Sequence, residues 1–168
     1  MAAIAGVDEV GKGALFGPVF AGAVVLNQGN GIKLIEKGLK DSKLLTSTKR
    51  AGLVPLIKKL SLSWSIGQAS EREIDSLGIR AATEQAMIRA IYGLSIKPKY
   101  LLVDGSLPIR IWPGEQKTLI KGESKSCEIA AASVLAKEAR DKLIKDLALK
   151  FPKYGLETNV GYGTDFHC

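Results

Sequence analysis

The sequence predicts an α/β or α+β protein in which helices pack on one β-sheet. Short apolar or alternating segments, typical of strands, come first in the chain, and helical periodicities mixed with further short strands follow them. The last clear element is a long alanine-rich helix. No internal repeat, low-complexity segment or Pro/Gly/Ser linker divides the chain, so we expect residues 1–168 to form a single domain.

The predicted sheet begins with two strands over residues 2–7 and 19–26. Both are rich in small, branched and apolar residues, and the glycine-rich turn between them favours an antiparallel pair. Residues 60–68 alternate apolar with polar side chains, as a half-buried strand does, and residues 99–103 form a short buried strand that leads into Asp104. Two more strands are expected on either side of a Pro-Gly turn, at residues 108–112 and 116–120.

Capping residues mark the first two predicted helices. Thr46 or Ser47 can cap a helix that runs to residue 60, in which Pro55 is an awkward interior residue and a source of a kink. Ser70, with Glu73 three residues later, has the capping-box pattern that starts another helix.

Alanine spacing predicts two further helices. Alanines recur every four residues within a predicted helix over residues 79–92. The long final helix begins at Ser124 or Ser126 and runs towards residue 150, and it also carries alanines on one face. Small side chains on that face imply that this helix approaches the sheet closely.

The composition, 46% hydrophobic and 24% charged, is that of an ordinary soluble globular protein. No apolar run approaches the roughly 20 residues needed to cross a bilayer, and the N-terminus lacks the basic stretch of a secretory signal. We therefore expect a cytoplasmic protein with no membrane partner. The two cysteines, Cys127 and Cys168, belong to no CxxC or Cys/His pattern, so neither a zinc site nor a disulfide framework is expected.

Positive charge is concentrated in one part of the chain. The net charge is +7, and residues 33–59 alone contain eight basic and two acidic side chains, a net +6 over 27 residues. A solvated, lysine-rich face explains such a segment, and so does a polyanionic partner whose phosphates the lysines would neutralise. Charge alone leaves both explanations open.

Four acidic residues lie at the ends of apolar segments rather than on the polar faces of helices: Asp8, Glu9, Asp104 and Glu123. If the strands that end near Asp8 and Asp104 are neighbours, these carboxylates converge at one edge of the sheet. Unpaired, they would repel one another and raise each other's pKa. A divalent cation removes that cost, and an all-oxygen ligand set favours Mg²⁺ or Mn²⁺. Two such ions about 3.5–4 Å apart can act on a phosphodiester.

Each acid also has a simpler structural explanation. Asp8 and Asp104 suit turns beside glycine, and Glu123 suits the positive end of the following helix. Glu9 is the least secure ligand, because consecutive strand side chains point to opposite faces. It joins the site only if the chain bends at Val10 and Gly11.

At this point the sequence resembles a known family. The stretch AGVDEVGKGALFGPVFAGAVVL is similar to the opening of ribonuclease HII, the type 2 ribonuclease H. Five further segments match that family in order: LKDSKLLTSTKR, EIDSLGIRAATEQAMIRA, LLVDGS, IKGESKSCEIAAASVLAKEARDKLI and FPKYGLETNVGYGTDFH. The resemblance covers nearly the whole chain. It implies an RNase H-like fold, with a central mixed sheet flanked by helices, and metal-dependent endonucleolytic attack on RNA in RNA/DNA duplexes.

The resemblance also implies roles for individual residues. The family's metal-binding and catalytic acids correspond to Asp8, Glu9, Asp104 and Glu123, with two Mg²⁺ or Mn²⁺ ions bound between them. At the last of these positions the family more commonly has aspartate. Glutamate keeps the carboxylate and adds a methylene, so we expect metal binding to persist with an altered reach.

Substrate-binding residues are implied in the same way. Gly11, Lys12 and Gly13 match the family's Gly-Arg-Gly loop, which reads the 2′-hydroxyl of RNA; lysine here keeps the charge and loses the planar fork. Tyr162 resembles the tyrosine that packs on the deoxyribose following the ribonucleotide. Further candidates on the phosphate side are Lys43, Ser124 and Lys137. His167 lies in a family motif, although a surface position suits it equally well.

The expected function is hydrolysis of the RNA strand of RNA/DNA hybrids and cleavage 5′ of ribonucleotides embedded in duplex DNA, leaving 3′-hydroxyl and 5′-phosphate ends. We expect a monomer. The alternatives are a ribonuclease HIII-like hybrid nuclease and a nucleic-acid-binding module without catalysis. The family usually continues for a few tens of residues beyond the motif that ends at Cys168, so we expect a truncated C-terminus and weaker substrate binding.

Overall fold

The computed structural model describes residues 3–14 and 17–150. This part of the chain forms a five-stranded sheet with helices on both faces. The strands are β1 (Ile4–Val10), β2 (Val19–Val25), β3 (Ser63–Ala69), β4 (Tyr100–Asp104) and β5 (Glu115–Leu119). The helices are α1 (Gln28–Glu36), α2 (Ser47–Leu60), α3 (Glu71–Leu77), α4 (Ile79–Tyr92) and α5 (Cys127–Lys150), with short 3₁₀ turns at Ser42–Leu44 and Gly122–Ser124.

The sheet is mixed, as predicted, with the strand order β3-β2-β1-β4-β5. β1 and β2 are antiparallel neighbours, and β2 and β3 are also antiparallel. β1 and β4 run parallel, as do β4 and β5. Because parallel strands end at the same edge of a sheet, the carboxyl ends of the two central strands β1 and β4 lie side by side.

Helices approach the sheet closely where strand glycines leave room. A Cβ atom added to Gly22 of β2 would lie 2.3 Å from the carbonyl oxygen of Ala132 on α5. On the opposite face, a Cβ atom on Gly67 of β3 would lie 2.3 Å from the carbonyl oxygen of Ala86 on α4. These contacts produce three layers, with α5 and α4 on opposite faces of the sheet, and they confirm the close helix approach that the alanines predict.

Most of the predicted helix starts are confirmed. Thr46 caps α2, which contains Pro55 in its interior, and Ser70 and Glu73 form the capping box of α3. Ser126 caps α5, since its Oγ accepts a hydrogen bond of 3.2 Å from the amide of Ile129. None of the helices that the structure describes has the length and apolarity to span a bilayer.

Two expectations about secondary structure were wrong or incomplete. Residues 108–112 form a turn rather than a strand, because the side chain of Gln116 takes the place of a neighbouring strand and hydrogen-bonds both the amide (2.8 Å) and the carbonyl (2.9 Å) of Ile109. Helix α1 was not predicted. Its sequence QGNGIKLIE contains two glycines, which disfavour helix, and it forms with Asn27 as its cap and with Leu34 buried in the core.

An ion pair between the buried Glu84 and the exposed Arg110 holds the 108–112 turn against α4. Glu84, whose side chain is 7% exposed, accepts hydrogen bonds from the amide of Arg110 (2.5 Å) and from its guanidinium Nε (2.9 Å) and Nη2 (2.6 Å). Burial raises the pKa of Glu84, but the hydrogen bonds and charge of Arg110 outweigh burial, so the pKa is lowered overall. The charged form of Glu84 therefore depends on Arg110.

We expect Arg110→Ala to destabilise the protein at neutral pH, because a buried carboxylate loses its charged partner. The folded-state pKa of Glu84 is lowered, so its stabilisation is present above the ordinary value of 4.5 and is lost as the pH falls below it. The destabilisation should shrink in acid, where Glu84 is protonated in both proteins. Urea unfolding at neutral and acidic pH measures this. Arg72→Ala, at an exposed arginine, is the control, and a pH-independent deficit would contradict the assignment.

Candidate active site

A cavity of about 560 Å³ opens at the edge where β1 and β4 end. It brings together most of the residues that the sequence nominated, including all four acids. The predicted residues that line it are Asp8, Glu9, Gly11, Lys12, Gly13, Lys43, Asp104, Glu123 and Lys137. Ser124 lines a neighbouring cavity that shares Glu123. Tyr162 and His167 lie outside the described residues.

Strand register places Asp8 beside Asp104. Val7 of β1 pairs with Val103 of β4 in the parallel ladder, so the next residue on each strand is one of these two acids. Glu123 reaches the same place through the turn that precedes α5. The amide of Gly122 donates a hydrogen bond of 2.7 Å to Oδ1 of Asp104, and a Cβ atom on Gly122 would lie 3.0 Å from that oxygen. Glycine therefore brings Glu123 next to Asp104.

Glu9 lines the cavity although it alternates with Asp8 along β1. The strand continues through Val10, and Gly11 then turns the chain with a φ of +96°. Glu9 also borders a second cavity on the α4 side of the sheet, so it lies between the two. Burial raises the pKa of Glu9, with the charge of Lys12 opposing and those of Asp104 and Glu123 adding to the rise.

Asp8 is the most deeply buried of the four acids, at 3% exposed. Its pKa is raised well above the ordinary value by burial, by a hydrogen bond with Glu123, and by repulsion from Asp104, Glu123 and Glu9. Asp8 therefore holds its proton to a higher pH than an exposed aspartate does. The cluster carries more negative charge than its surroundings compensate.

The carboxylate of Glu123 accepts the hydrogen bonds of the cluster. Burial raises its pKa, but hydrogen bonds from Asp41, Asp8 and Ser133 and the positive charge of Lys137 together lower it to about 2. The hydroxyl of Ser133 donates to Oε1 of Glu123, and the hydroxyl of Ser42 lies 3.0 Å from Oε1 and 3.2 Å from Oε2. The longer glutamate side chain is thus held by hydroxyl groups on two different elements.

Sequence reasoning missed three residues that contact Glu123: Asp41, Ser42 and Ser133. Asp41 hydrogen-bonds to Glu123, which is the main cause of its raised pKa, and its side chain also accepts from the amide of Lys43. Its position directly before Ser42 and the nominated Lys43 was an available signal. Ser133 carried no such signal, because it reads as one small residue among the alanines of a buried helix.

The donor chemistry of the cavity fits a hard divalent cation. Its acidic side chains offer only carboxylate oxygens. Burial, and then repulsion from neighbouring acids, raises the pKa of both Asp8 and Glu9, and a cation would offset both effects. No three His, Cys, Asp or Glu side chains in residues 3–14 and 17–150 are arranged so as to hold a metal ion. The carboxylates share one cavity but are hydrogen-bonded to protein groups, so the cluster fits in composition without being a preassembled site.

The basic segment over residues 33–59 serves more than one purpose. Lys43 faces the carboxylate cavity. Arg50 instead pairs with Glu138 (2.8 Å) and Asp141 (2.6 Å) on α5, and the amino group of Lys58 lies 4.5 Å from the ring centre of Trp64. Part of the charge therefore holds α2 against its neighbours.

The comparisons with known proteins agree with one another. A family model described as Ribonuclease HII matches residues 5–168. A protein named Ribonuclease HII from Prochlorococcus marinus (strain NATL2A) is 64% identical over 164 residues, which cover 98% of this chain and 84% of that protein.

Two solved structures are similar over 97% of this chain, each at 28% identity. The ribonuclease H2 of Pyrococcus horikoshii OT3 gives a TM-score of 0.84 and is covered over 82% of its length. The RNase HII in the PCNA:RNase HII complex from Archaeoglobus fulgidus gives a TM-score of 0.79 and is covered over 83%. Sequence and fold similarity therefore extend together along the chain.

Proposed function

Because the chain belongs to the ribonuclease HII family, type 2 endonucleases that hydrolyse the RNA strand of RNA/DNA hybrids, we propose that it cuts on the 5′ side of ribonucleotides embedded in duplex DNA. The products would carry 3′-hydroxyl and 5′-phosphate ends. The observation that supports this proposal best is the convergence of Asp8, Glu9, Asp104 and Glu123 on one open cavity.

In this proposal the four acids hold two divalent ions, Mg²⁺ or Mn²⁺. Ions bound there would supply an activated water and would stabilise the departing 3′-oxygen. The chain's own contribution is to place four carboxylates at one sheet edge and to keep Glu123 oriented through Ser42 and Ser133. The described residues include no histidine, and the single histidine of the chain is His167, so a Ser-His-Asp mechanism has no support.

Cationic side chains around the acids would bind the substrate backbone. Lys43 and Lys137 line the cavity on the side of Glu123, where each can neutralise a phosphate, and Ser124 lies in the adjoining cavity. Tyr162 is proposed, on family resemblance, to pack against the deoxyribose that follows the ribonucleotide. These residues would fix the position of the strand relative to the carboxylates.

The loop formed by Gly11, Lys12 and Gly13 would read the 2′-hydroxyl. Gly11 cannot carry a side chain without crowding, because its φ is +96° and an added Cβ atom would lie 2.6 Å from Nε of Arg140. At Gly13, which lines the cavity, an added Cβ atom meets no atom of the described residues within 4 Å. The backbone can therefore approach a sugar closely there.

One cleavage assay tests the proposed function. A labelled DNA duplex with a single ribonucleotide is incubated with protein and Mg²⁺ or Mn²⁺, and the products are mapped. A single cut 5′ of the ribonucleotide is expected. Cleavage confined to runs of ribonucleotides would indicate a ribonuclease HIII-like activity instead, and binding without any cleavage would indicate a nucleic-acid-binding module.

We expect Lys12→Ala to reduce the preference for ribonucleotide-containing duplex over all-DNA duplex by about tenfold, the effect of losing one charge-assisted hydrogen bond. The measurement is the ratio of the two dissociation constants. Lys137→Ala is the matched control, because it removes a charge from the same cavity and should weaken both complexes equally. An unchanged ratio for Lys12→Ala would count against the reading role.

A further inference from the structure

A second, smaller cavity of about 200 Å³ adjoins the carboxylate cavity on the α4 side of the sheet. The two cavities share Glu9, Lys12 and Asp104 in their walls. The smaller one continues between the first turns of α4, which contribute Arg80 and Thr83, and the loop that follows β4. A ligand in it would lie directly beside the carboxylates.

Arg80 is the unusual residue of this cavity. Its Nε atom is buried, yet it has no hydrogen-bond partner among residues 3–14 and 17–150. The buried acid nearby, Glu84, already accepts three hydrogen bonds from Arg110. The charge of Arg80 helps to lower the pKa of Glu84. Burying a guanidinium N–H without a hydrogen-bond partner is nevertheless unfavourable, and the contacts among the described residues leave this N–H unsatisfied.

The chemistry of the cavity indicates an anion of modest size. Arg80 and Lys12 supply two positive charges, and guanidinium is the side chain whose planar fork matches the oxygens of a phosphate. A volume of about 200 Å³ suits a phosphate group with part of its sugar rather than a whole nucleotide with its base. Three acids also line the cavity. Glu84 is paired with Arg110, whereas Glu9 and Asp104 would oppose an anion unless a cation neutralises them.

Resting on the function proposed above, we propose that this cavity is a subsite for a backbone phosphate of the nucleic-acid substrate, bound by Arg80 and Lys12 beside the linkage that is cut. An oxygen of the phosphate accepts a hydrogen bond from the Nε–H of Arg80. It also anchors the strand in a cavity that adjoins the one lined by Lys43 and Lys137. Cationic groups would then hold the backbone on both sides of the carboxylates.

The first test measures binding of an all-DNA duplex, which is not cleaved, in Mg²⁺ by fluorescence anisotropy. Arg80→Gln should weaken binding about tenfold and lower the slope of log Kd against log salt by about one. Arg80→Lys, which keeps the charge without the fork, should fall between wild type and Arg80→Gln. The control is Arg72→Gln, the same charge change at an exposed arginine of α3, with less than about a twofold effect.

The second test neutralises the substrate instead of the protein. Single methylphosphonate linkages are placed in turn around the ribonucleotide, and binding to wild-type protein is measured in Ca²⁺. A methylphosphonate at one linkage close to the ribonucleotide should weaken the binding of wild type about tenfold and that of Arg80→Gln much less. At the other linkages it should weaken the binding of both proteins equally. This comparison identifies the phosphate that Arg80 contacts.

Several outcomes would overturn the subsite. One is that Arg80→Gln binds the duplex as tightly as wild type does. Another is that methylphosphonates weaken binding of the two proteins equally at every linkage. A third is that no single linkage matters while inorganic phosphate raises thermal stability, which would indicate a site for small anions only. If circular dichroism shows that Arg80→Gln does not fold, the methylphosphonate series is repeated with wild type and Arg80→Lys. Identical effects of each linkage on these two proteins would then reject the subsite. Both tests measure binding and do not depend on cleavage. A protein that binds through Arg80 but does not cleave would therefore contradict the proposed function and leave the subsite standing.

Discussion

Asp8→Asn is expected to abolish cleavage, with a loss of about 10³-fold or more, since metal and transition-state charge stabilisation contributes several kcal/mol. Duplex binding should remain within about twofold, because the cationic groups that hold the backbone are unchanged. Cleavage and anisotropy measurements on one preparation separate these effects. Retained cleavage would rule out Asp8 as a metal ligand.

The same substitution should stabilise the protein in the absence of metal. The pKa of Asp8 is raised in the folded state, so folding takes up a proton there, and stability is lost as the pH rises from the ordinary value of 3.8 through the folded pKa. Asparagine carries no charge, and its amide can still donate to Glu123. A gain on the order of 1 kcal/mol, an ordinary size for a single substitution, is expected at pH 8.

Thermal unfolding in EDTA, from acid to pH 8, measures this gain. Wild type should lose stability relative to Asp8→Asn as the pH rises, and adding Mg²⁺ should stabilise wild type more than the variant. Asp75→Asn, at an exposed acid of α3, controls for the change in net charge. A pH-independent difference between wild type and Asp8→Asn would show that burial of the Asp8 charge is not what destabilises the metal-free protein.

Gly22→Ala is expected to destabilise the protein by about 3 kcal/mol, at the upper end of the usual cost of overpacking. The added methyl group would lie 2.3 Å from the carbonyl oxygen of Ala132 and about 3 Å from its other backbone atoms. Backbone cannot rotate away as a side chain can, so α5 must move off the sheet. Urea unfolding gives the change in free energy.

Gly52→Ala is the matched control. Gly52 lies in the interior of α2, is exposed, and has no atom within 4 Å of an added Cβ. Alanine at this position should stabilise the protein by about 0.5–1 kcal/mol, because it favours the helix more than glycine does. If Gly22→Ala were as well tolerated as Gly52→Ala, the close approach of α5 to β2 would be wrong.

Gly22→Ala should also reduce cleavage in the fraction that folds. Helix α5 carries Ser133 and Lys137, and it follows directly on the turn that holds Glu123. A shift of α5 would therefore move three groups of the candidate active site together. Specific activity per folded molecule, measured well below the unfolding midpoint, tests this coupling.

Local patterns predicted that the four acids lie together, because each comes at or near the end of an apolar segment, and all four line one cavity. Asp104 ends β4 and Asp8 lies near the end of β1, so their positions follow from where the strands stop. The contacts of Glu123 with Ser42 and Ser133 could not be predicted in this way. Ser42 is 81 residues away in sequence, and neither serine differs in type from the many serines that cap turns.

The two errors in secondary structure have the same origin. The segment over residues 108–112 has the apolar content of a strand, but Gln116 and Glu84 satisfy its backbone amides from outside any sheet. Helix α1 has weak helix propensity, and burial of Leu34 under α5 supplies the stability that propensity lacks. In both cases tertiary contacts outweighed local preference.

By itself the sequence determined the class of the fold, the strand ends that carry acids, the family resemblance and the identity of four carboxylates, because these depend on residue type and short spacing. Only the tertiary structure decided which groups meet: the parallel pairing that sets Asp8 beside Asp104, the serines that hold Glu123, and the cavity in which the Nε of Arg80 finds no hydrogen-bond partner in the described part of the chain. Such contacts join residues far apart in the chain. Their existence depends on packing, which no local pattern encodes.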